Sequence, residues 1–195
     1  MRTVTKKVPM KTPAQTAFSD IRRRYSIIYA DPPWMYNDGA QGKGAAFKYQ
    51  LQDDEWLYNL PVESIAEDNA VLFLWATFPK MESALELIRR WGFTYKTLAF
   101  NWVKTTKNGK IFFGMGNWTR SNPEVCLLAT RGKPKRVSAG ISSVLMAPRE
   151  EHSKKPDIVR DLIVQLCGNL SRIELFARQC VPGWHCWGNQ VEVKL

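Results

Sequence analysis

Asp31-Pro32-Pro33-Trp34 carries the most chemistry in this 195-residue sequence. It follows a short apolar run, Ser26-Ile-Ile-Tyr-Ala30, which reads as a buried strand that the prolines terminate. Each proline fixes its own φ and steers the residue before it away from the helical region. The strand end therefore becomes a rigid, extended platform. The Asp31 carboxylate and the Pro32 carbonyl accept hydrogen bonds there, Pro33 brings no N–H to compete, and Trp34 offers a broad apolar face. Two acceptors beside an aromatic wall suit an aromatic amine acting as nucleophile. Such an amine is weak because its lone pair is delocalised into the ring. Acceptors on its two N–H bonds hold the nitrogen nearer tetrahedral, with the lone pair aimed at an electrophile. The carboxylate also stabilises the positive charge that develops. The bland reading is a proline-rich turn after a strand, followed by an ordinary buried Trp.

Charge points to the substrate class. The net charge of +10 is unevenly placed: residues 1–24 carry +6, 25–103 carry −4, 104–136 carry +7 and 137–195 carry +1. Two basic segments around an acidic one favour a polyanionic partner over a solvated face and a tail. The second segment interleaves Trp102, Phe112, Phe113 and Trp118 with its bases, as a flipped or strand-separated nucleotide requires. The charge suggests basic rims that hold a nucleic-acid backbone, with Asp31 between them.

Several classes are excluded. A hydrophobic content of 45% supports a core and rules out global disorder. The longest apolar run, Ala70 to Ala76, is too short to span a bilayer, and no apolar stretch follows the basic N-terminus. Neither a membrane partner nor a secretory signal is expected. Cys126, Cys167, Cys180 and Cys186 have no C-x-x-C spacing, and His152 and His185 are the only histidines. The expectation is no metal site and four free thiols in a reducing cytoplasm. The length predicts one domain: a basic, mobile or peripheral arm over 1–24, then a domain over 25–195.

The positioning elements follow from pattern. Ala70–Ala76 is continuously apolar, as a strand covered on both faces must be. Asp53–Leu60 reads as a short helix stopped by Pro61. A longer helix opens at Pro79, with Met81, Ala84, Leu85, Ile88 and Trp91 as its apolar stripe and Gly92 as its cap. Thr94–Val103 and Val125–Ala129 read as strands. Pro156 begins a second helix, with Ile158, Val159, Leu162, Ile163 and Leu166 on one face. Arg172–Ala177 and His185–Val193 read as two final strands. Alternating strands and helices argue for an α/β sheet, with ligands outside the carboxyl ends of its strands.

Ordered along the chain, these residues resemble a known family. Ile28-Tyr-Ala-Asp-Pro-Pro-Trp34 is similar to the catalytic motif of the DPPW-type adenine-N6 methyltransferases, the MT-A family. That family includes the catalytic subunit of the eukaryotic mRNA adenosine methyltransferase and DNA methyltransferases of bacteria and phages. Gly116–Leu127 and Thr130–Pro134 resemble its target-pocket segment. His152-Ser-Lys-Lys-Pro-Asp157 resembles its Lys-Pro-Asp/Glu cofactor motif, Ile173–Arg178 its motif I and Gly183–Asn189 its closing segment. The resemblance covers Ser26 to Asn189. It departs at Phe47-Lys-Tyr-Gln-Leu51, where relatives often carry a Y-P-T-M-like segment, and at Gln179-Cys180, where relatives can carry polar residues.

The resemblance implies a Rossmann-like S-adenosylmethionine-dependent methyltransferase fold with permuted motif order, catalytic motif first and cofactor motif last. It implies Asp31, Pro32, Pro33 and Trp34 as catalytic residues. For the cofactor it implies Asp31, Lys155, Glu174, Phe176, Arg178, Asn189 and Gln190. Lys155 would pair with the methionine carboxylate, Phe176 would pack on the cofactor, and Glu174 and Arg178 would reach the ribose or each other. A surface lysine, a simple ion pair and an Asn-Gln turn are the plain alternatives for Lys155, Arg178 and Asn189-Gln190. Around the substrate it implies Tyr36, Tyr49, Asn117, Trp118, Arg120 and Glu124, with Lys133, Lys135 and Arg136 on the nucleic acid. The expected reaction is methyl transfer to adenine N6 in DNA, in the cytoplasm of a bacterial cell or a phage-infected host. The same reaction on RNA, and an inactive nucleic-acid-binding partner subunit, are the alternatives. A homodimer is carried as the assembly expectation, beside a monomer and half of a heterodimer.

Overall fold

The computed structural model describes residues 14, 17–35, 53–116, 118–150 and 154–191. The glycine-rich loop at 38–44, Tyr36, Tyr49, Asn117 and His152 lie outside the described residues.

Among the described residues, seven strands form one sheet: β1 (Tyr25–Ala30), β2 (Ala66–Ala76), β3 (Thr94–Thr105), β4 (Pro123–Arg131), β5 (Val144–Pro148), β6 (Arg172–Leu175) and β7 (His185–Trp187). Their spatial order is β5-β3-β4-β2-β1-β6-β7. Neighbours of β1 on both sides run parallel to it, as do β6 with β7 and β3 with β5. Only β4 runs antiparallel, pairing Ala76 with Val125 and Ala70 with Arg131. One edge of the sheet therefore collects the carboxyl ends of six strands and the start of β4.

Alternation along the central strands feeds two cores. Ile28, Ala30, Leu72 and Leu74 face one layer, while Ile27, Tyr29, Val71, Phe73 and Trp75 face the other. The first layer is covered by α1 (Asp54–Tyr58), α2 (Val62–Ile65) and α3 (Met81–Arg90). Asp53 caps α1 by accepting from Trp56 N at 2.6 Å. Ala84, Leu87, Ile88 and Trp91 are buried, so Leu87 belongs to the stripe while Met81 and Leu85 sit at its margin. Gly92, at φ +79°, ends the segment in the left-handed region. The second layer is covered by α4 (Ile158–Cys167) through Val159, Ile163 and Cys167, and Ile158 is exposed.

Several elements differ from expectation. α2 and β5 carry no strong sequence signal; β5 is an edge strand with no fully buried residue. β7 stops at Trp187, and residues 188–191 leave the sheet. Phe18, within the expected peripheral arm, is buried edge-on against Trp187 at 5.0 Å, and Trp187 Nε1 donates to Ala17 O at 3.2 Å. Cys180 and Cys186 are joined as a disulfide, with Cα atoms 5.6 Å apart, which corrects the expectation of four free thiols. The turn between β6 and β7 brings them together at a sequence separation of 6. Cys126 and Cys167 are free and buried. No helix among the described residues is long and apolar enough to cross a membrane.

Candidate active site

Asp31 leaves β1 at the carboxyl edge, the same edge that holds the start of β4 and the end of β3 further along the sheet. Lys155 reaches it from the segment that leads into α4, 124 residues away in sequence. Lys155 Nζ donates to both Asp31 oxygens at 2.8 Å and lies 3.2 Å from Glu124 Oε2. Lys104 Nζ then pairs with Glu124 Oε1 at 2.5 Å. The two ammonium groups also lie over indole rings, Lys155 over Trp75 at 5.4 Å and Lys104 over Trp102 at 5.3 Å. Acid, cation, acid and cation thus alternate in a partly buried row.

Burial sets the protonation of this row. It pushes the Asp31 carboxyl above its usual range, and Lys155 only partly offsets that. Burial also raises Glu124, but Lys155 and Lys104 together outweigh it and hold that carboxyl below its usual range. Lys155 loses hydration, yet Asp31 and Glu124 more than compensate and keep it charged.

A second buried pair stands next to the row. Arg160 of α4 forms a fork on Glu174, Nε to Oε2 at 2.7 Å and one terminal nitrogen to Oε1 at 2.8 Å. It also bonds Asp157 at 2.7 Å. The expected partner of Glu174 is Arg178 or a ribose; its partner in the fold is Arg160. Burial raises the Glu174 carboxyl despite this fork.

Phe176 closes the corner at φ 61°, the only non-glycine residue with positive φ among those described. Such a conformation is strained for a bulky residue and persists where its surroundings enforce it. The enforcement is visible. Ala177 N donates to Trp187 O at 3.0 Å, and a Cβ on Gly188 would sit 2.5 Å from Ala177 O. The Phe176 ring meets Trp187 edge-on at 5.6 Å. Asp31, Lys155, Glu174, Phe176, Arg178 and Gln190 converge on one cleft of about 370 Å³. Asn189 is half-buried and does not line it.

Other expected residues are placed differently. Trp34 is buried, with Nε1 donating to Trp75 O at 3.2 Å, so its ring belongs to the core and not to an open stacking face. Pro32 is buried and its carbonyl accepts from Trp34 N at 2.9 Å; Pro33 is half-buried. Trp118 and Arg120 are exposed on the segment between β3 and β4. Lys133, Lys135 and Arg136 are exposed beyond the far end of β4. At about 3.4 Å per residue, Arg131 lies roughly 24 Å from Glu124 along that strand. The fold thus divides the 104–136 basic segment: its Lys104 end is at the site, and its Lys133–Arg136 end is at the opposite edge. Lys104 and Arg160 were missed from sequence. Arg160 follows a buried helix position, Val159, so its signal was a cation bordering an apolar face.

A mixed α/β sheet with this constellation at its carboxyl edge is compatible with an S-adenosylmethionine-dependent methyltransferase fold. The family model described as MT-A70 matches residues 25–190. The chain is 36% identical over 190 residues to the type II methyltransferase M.MunI of a Mycoplasma species, which covers 87% of this chain and 79% of that protein. It is 31% identical over 176 residues to the human N(6)-adenosine-methyltransferase catalytic subunit METTL3, but spans only 28% of that protein's length. A Drosophila MT-A70-like N(6)-adenosine-methyltransferase is 28% identical over 174 residues, again with 27% of its length covered. The chain belongs to the MT-A70 family of adenine N6-methyltransferases.

Proposed function

We propose that the protein transfers a methyl group from S-adenosylmethionine to the exocyclic N6 amine of adenine in DNA. The observation that carries this is the Asp31 carboxylate, held by Lys155 through both oxygens at 2.8 Å on the wall of the cleft. The cleft's donor set suits that cofactor. Cations (Lys154, Lys155, Arg178) answer a carboxylate, acids (Asp31, Glu174) answer an ammonium or ribose hydroxyls, and Phe176 offers an apolar ring. Gln190, also on the wall of the cleft, completes the group taken to hold it. Bound there, S-adenosylmethionine supplies a methyl group on a positively charged sulfur.

The chain's own residues position the amine. A carboxylate has about four lone-pair sites, so Lys155 leaves Asp31 room to accept an amine N–H. The Pro32 carbonyl gives one lone pair to Trp34 N and keeps the other for the second N–H. Glu124 fixes Lys155, and with it the direction of Asp31. The raised Asp31 carboxyl suits it to take up the proton released from the methylated amine. In this reading the catalytic strand β1 precedes the cofactor strand β6, which is the permuted motif order, and 25–195 forms the catalytic domain behind a basic arm.

DNA is favoured because the relative covered over 79% of its length is a type II methyltransferase, whereas METTL3 is covered over 28%. That reading puts the protein in the cytoplasm of a bacterial cell or a phage-infected host. The likeness to N(6)-adenosine methyltransferases supports RNA as the second substrate reading. Labelled methyl transfer to duplex DNA, single-stranded DNA and RNA, followed by nucleoside analysis, separates the two. N6-methyladenine formed mainly in DNA is expected. Preference for RNA would select the second reading, and no labelled adenine in any of them would overturn both.

A further inference from the structure

The segment between β3 and β4 holds the densest exposure of large apolar side chains in the described chain. Phe113 is 71% exposed, Met115 86% and Trp118 100%. The support beneath them is built. Phe112 N donates to Lys104 O at 2.9 Å, Lys104 N donates to Asn122 O at 3.3 Å, and Asn122 Nδ2 donates to Phe112 O. The Arg149 guanidinium lies 4.3 Å over the Phe112 ring. A Cβ on Gly114 or Gly116 would collide with the carbonyls of Ser121 and Thr119, so only glycine lets the two limbs lie together there.

Apolar groups of this size kept in water call for a partner. The surrounding charge indicates which kind. Lys107, Lys110 and Arg120 are exposed around the segment, and Arg149 adds a fourth cation. Glu124, the one acid within 104–136, is already bound to Lys104 and Lys155. Nucleic acid is the polyanion whose bases also carry flat apolar faces. The segment also springs from the same sheet edge as Asp31, joined to it through Lys104, Glu124 and Lys155.

We infer that this segment is a duplex-opening wedge. Trp118 and Met115 enter the base stack and occupy the gap that the target adenine leaves when it moves to Asp31, while the cations hold the flanking phosphates. This rests on the proposed methyl transfer to DNA and adds the device that makes a paired adenine reachable.

The test uses the full chain, wild type and Trp118→Ala, with Trp118→Phe as the conservative variant. Turnover is measured on one sequence as duplex and as single strand, and 2-aminopurine at the target position reports extrusion by its fluorescence. The expected result is a duplex-to-single-strand turnover ratio about tenfold lower in Trp118→Ala, with the fluorescence rise lost and Trp118→Phe recovering much of both. An equal loss on both substrates, or no loss on either, would overturn the wedge while leaving the methyltransferase reading intact. A fall in sedimentation mass for Trp118→Ala would overturn it in favour of a second copy as the occupant. Wild-type protein inert on all DNA would overturn the DNA reading and the wedge with it.

Discussion

The two edges of the sheet both carry cations and use them differently. At the carboxyl edge, Asp31, Lys155, Glu124 and Lys104 are only 26%, 11%, 16% and 17% exposed, and each is bonded to the next. At the amino edge, Arg22, Arg23, Lys133, Lys135 and Arg136 stand in solvent. Paired, partly dehydrated charges are fixed in direction, which chemistry requires. Solvated charges are free to follow a phosphate backbone but position nothing. Strand direction makes the difference. β4 is the one antiparallel strand, so a single basic stretch of sequence delivers its first members to the site and its last members to the opposite edge.

The largest effect is expected from breaking the row at its centre. Lys155→Met leaves Asp31 and Glu124 facing each other without their shared cation. Turnover should fall about 100-fold or more, since the carboxylate loses its aim. Steady-state kinetics with saturating cofactor measure it, and a fall of less than fivefold would detach Lys155 from catalysis. Arg160→Met should act on stability instead. It strands Glu174, whose side chain is 10% exposed, at a cost of about 3 kcal/mol read by denaturant melts. Arg160→Met, Glu174→Gln together should recover part of that loss; no recovery would show that the fork is not its source.

A smaller effect is set by pH. In the proposed reaction Asp31 accepts the amine only when ionised, and burial raises its carboxyl, so activity should decline on the acid side sooner than an ordinary carboxylate would dictate. Stability follows the opposite shift at Glu124. Its contribution is complete above the usual glutamate range and is lost only as pH falls through its lowered value. Between these limits the protein should stay folded while losing rate, which paired melts and rate profiles would show; coincident loss of both would contradict it. The smallest effect on turnover belongs to the amino edge. Changing Lys133, Lys135 and Arg136 to Gln should leave turnover on a short duplex within about twofold, yet weaken binding to long DNA and flatten its salt dependence. A large loss on the short duplex would bring that edge into the site.

What could be read from sequence was what is local. Asp31-Pro-Pro-Trp34 declares itself because proline geometry and the preceding apolar strand act over a few residues. α3 and α4 declare themselves through their stripes. What could not be read depends on register and turns. Lys155 meets Asp31, and Lys104 meets Glu124, because parallel and antiparallel pairing bring distant strand ends to one level. The same holds for Arg160 on Glu174 and for the Cys180–Cys186 link across the β6–β7 turn. Trp34 differs from expectation for a related reason: an aromatic residue at a strand end can serve the core as well as a ligand, and here Trp75 O receives its indole N–H.

Asp31→Asn tests the proposed handling of the amine by Asp31 most directly, because it keeps the shape and removes the charge. Methyl transfer to DNA and cofactor binding by calorimetry should be measured on the same preparation. Turnover should be lower by about 10³-fold, with cofactor binding still measurable. Undiminished turnover in that variant would contradict that handling of the amine.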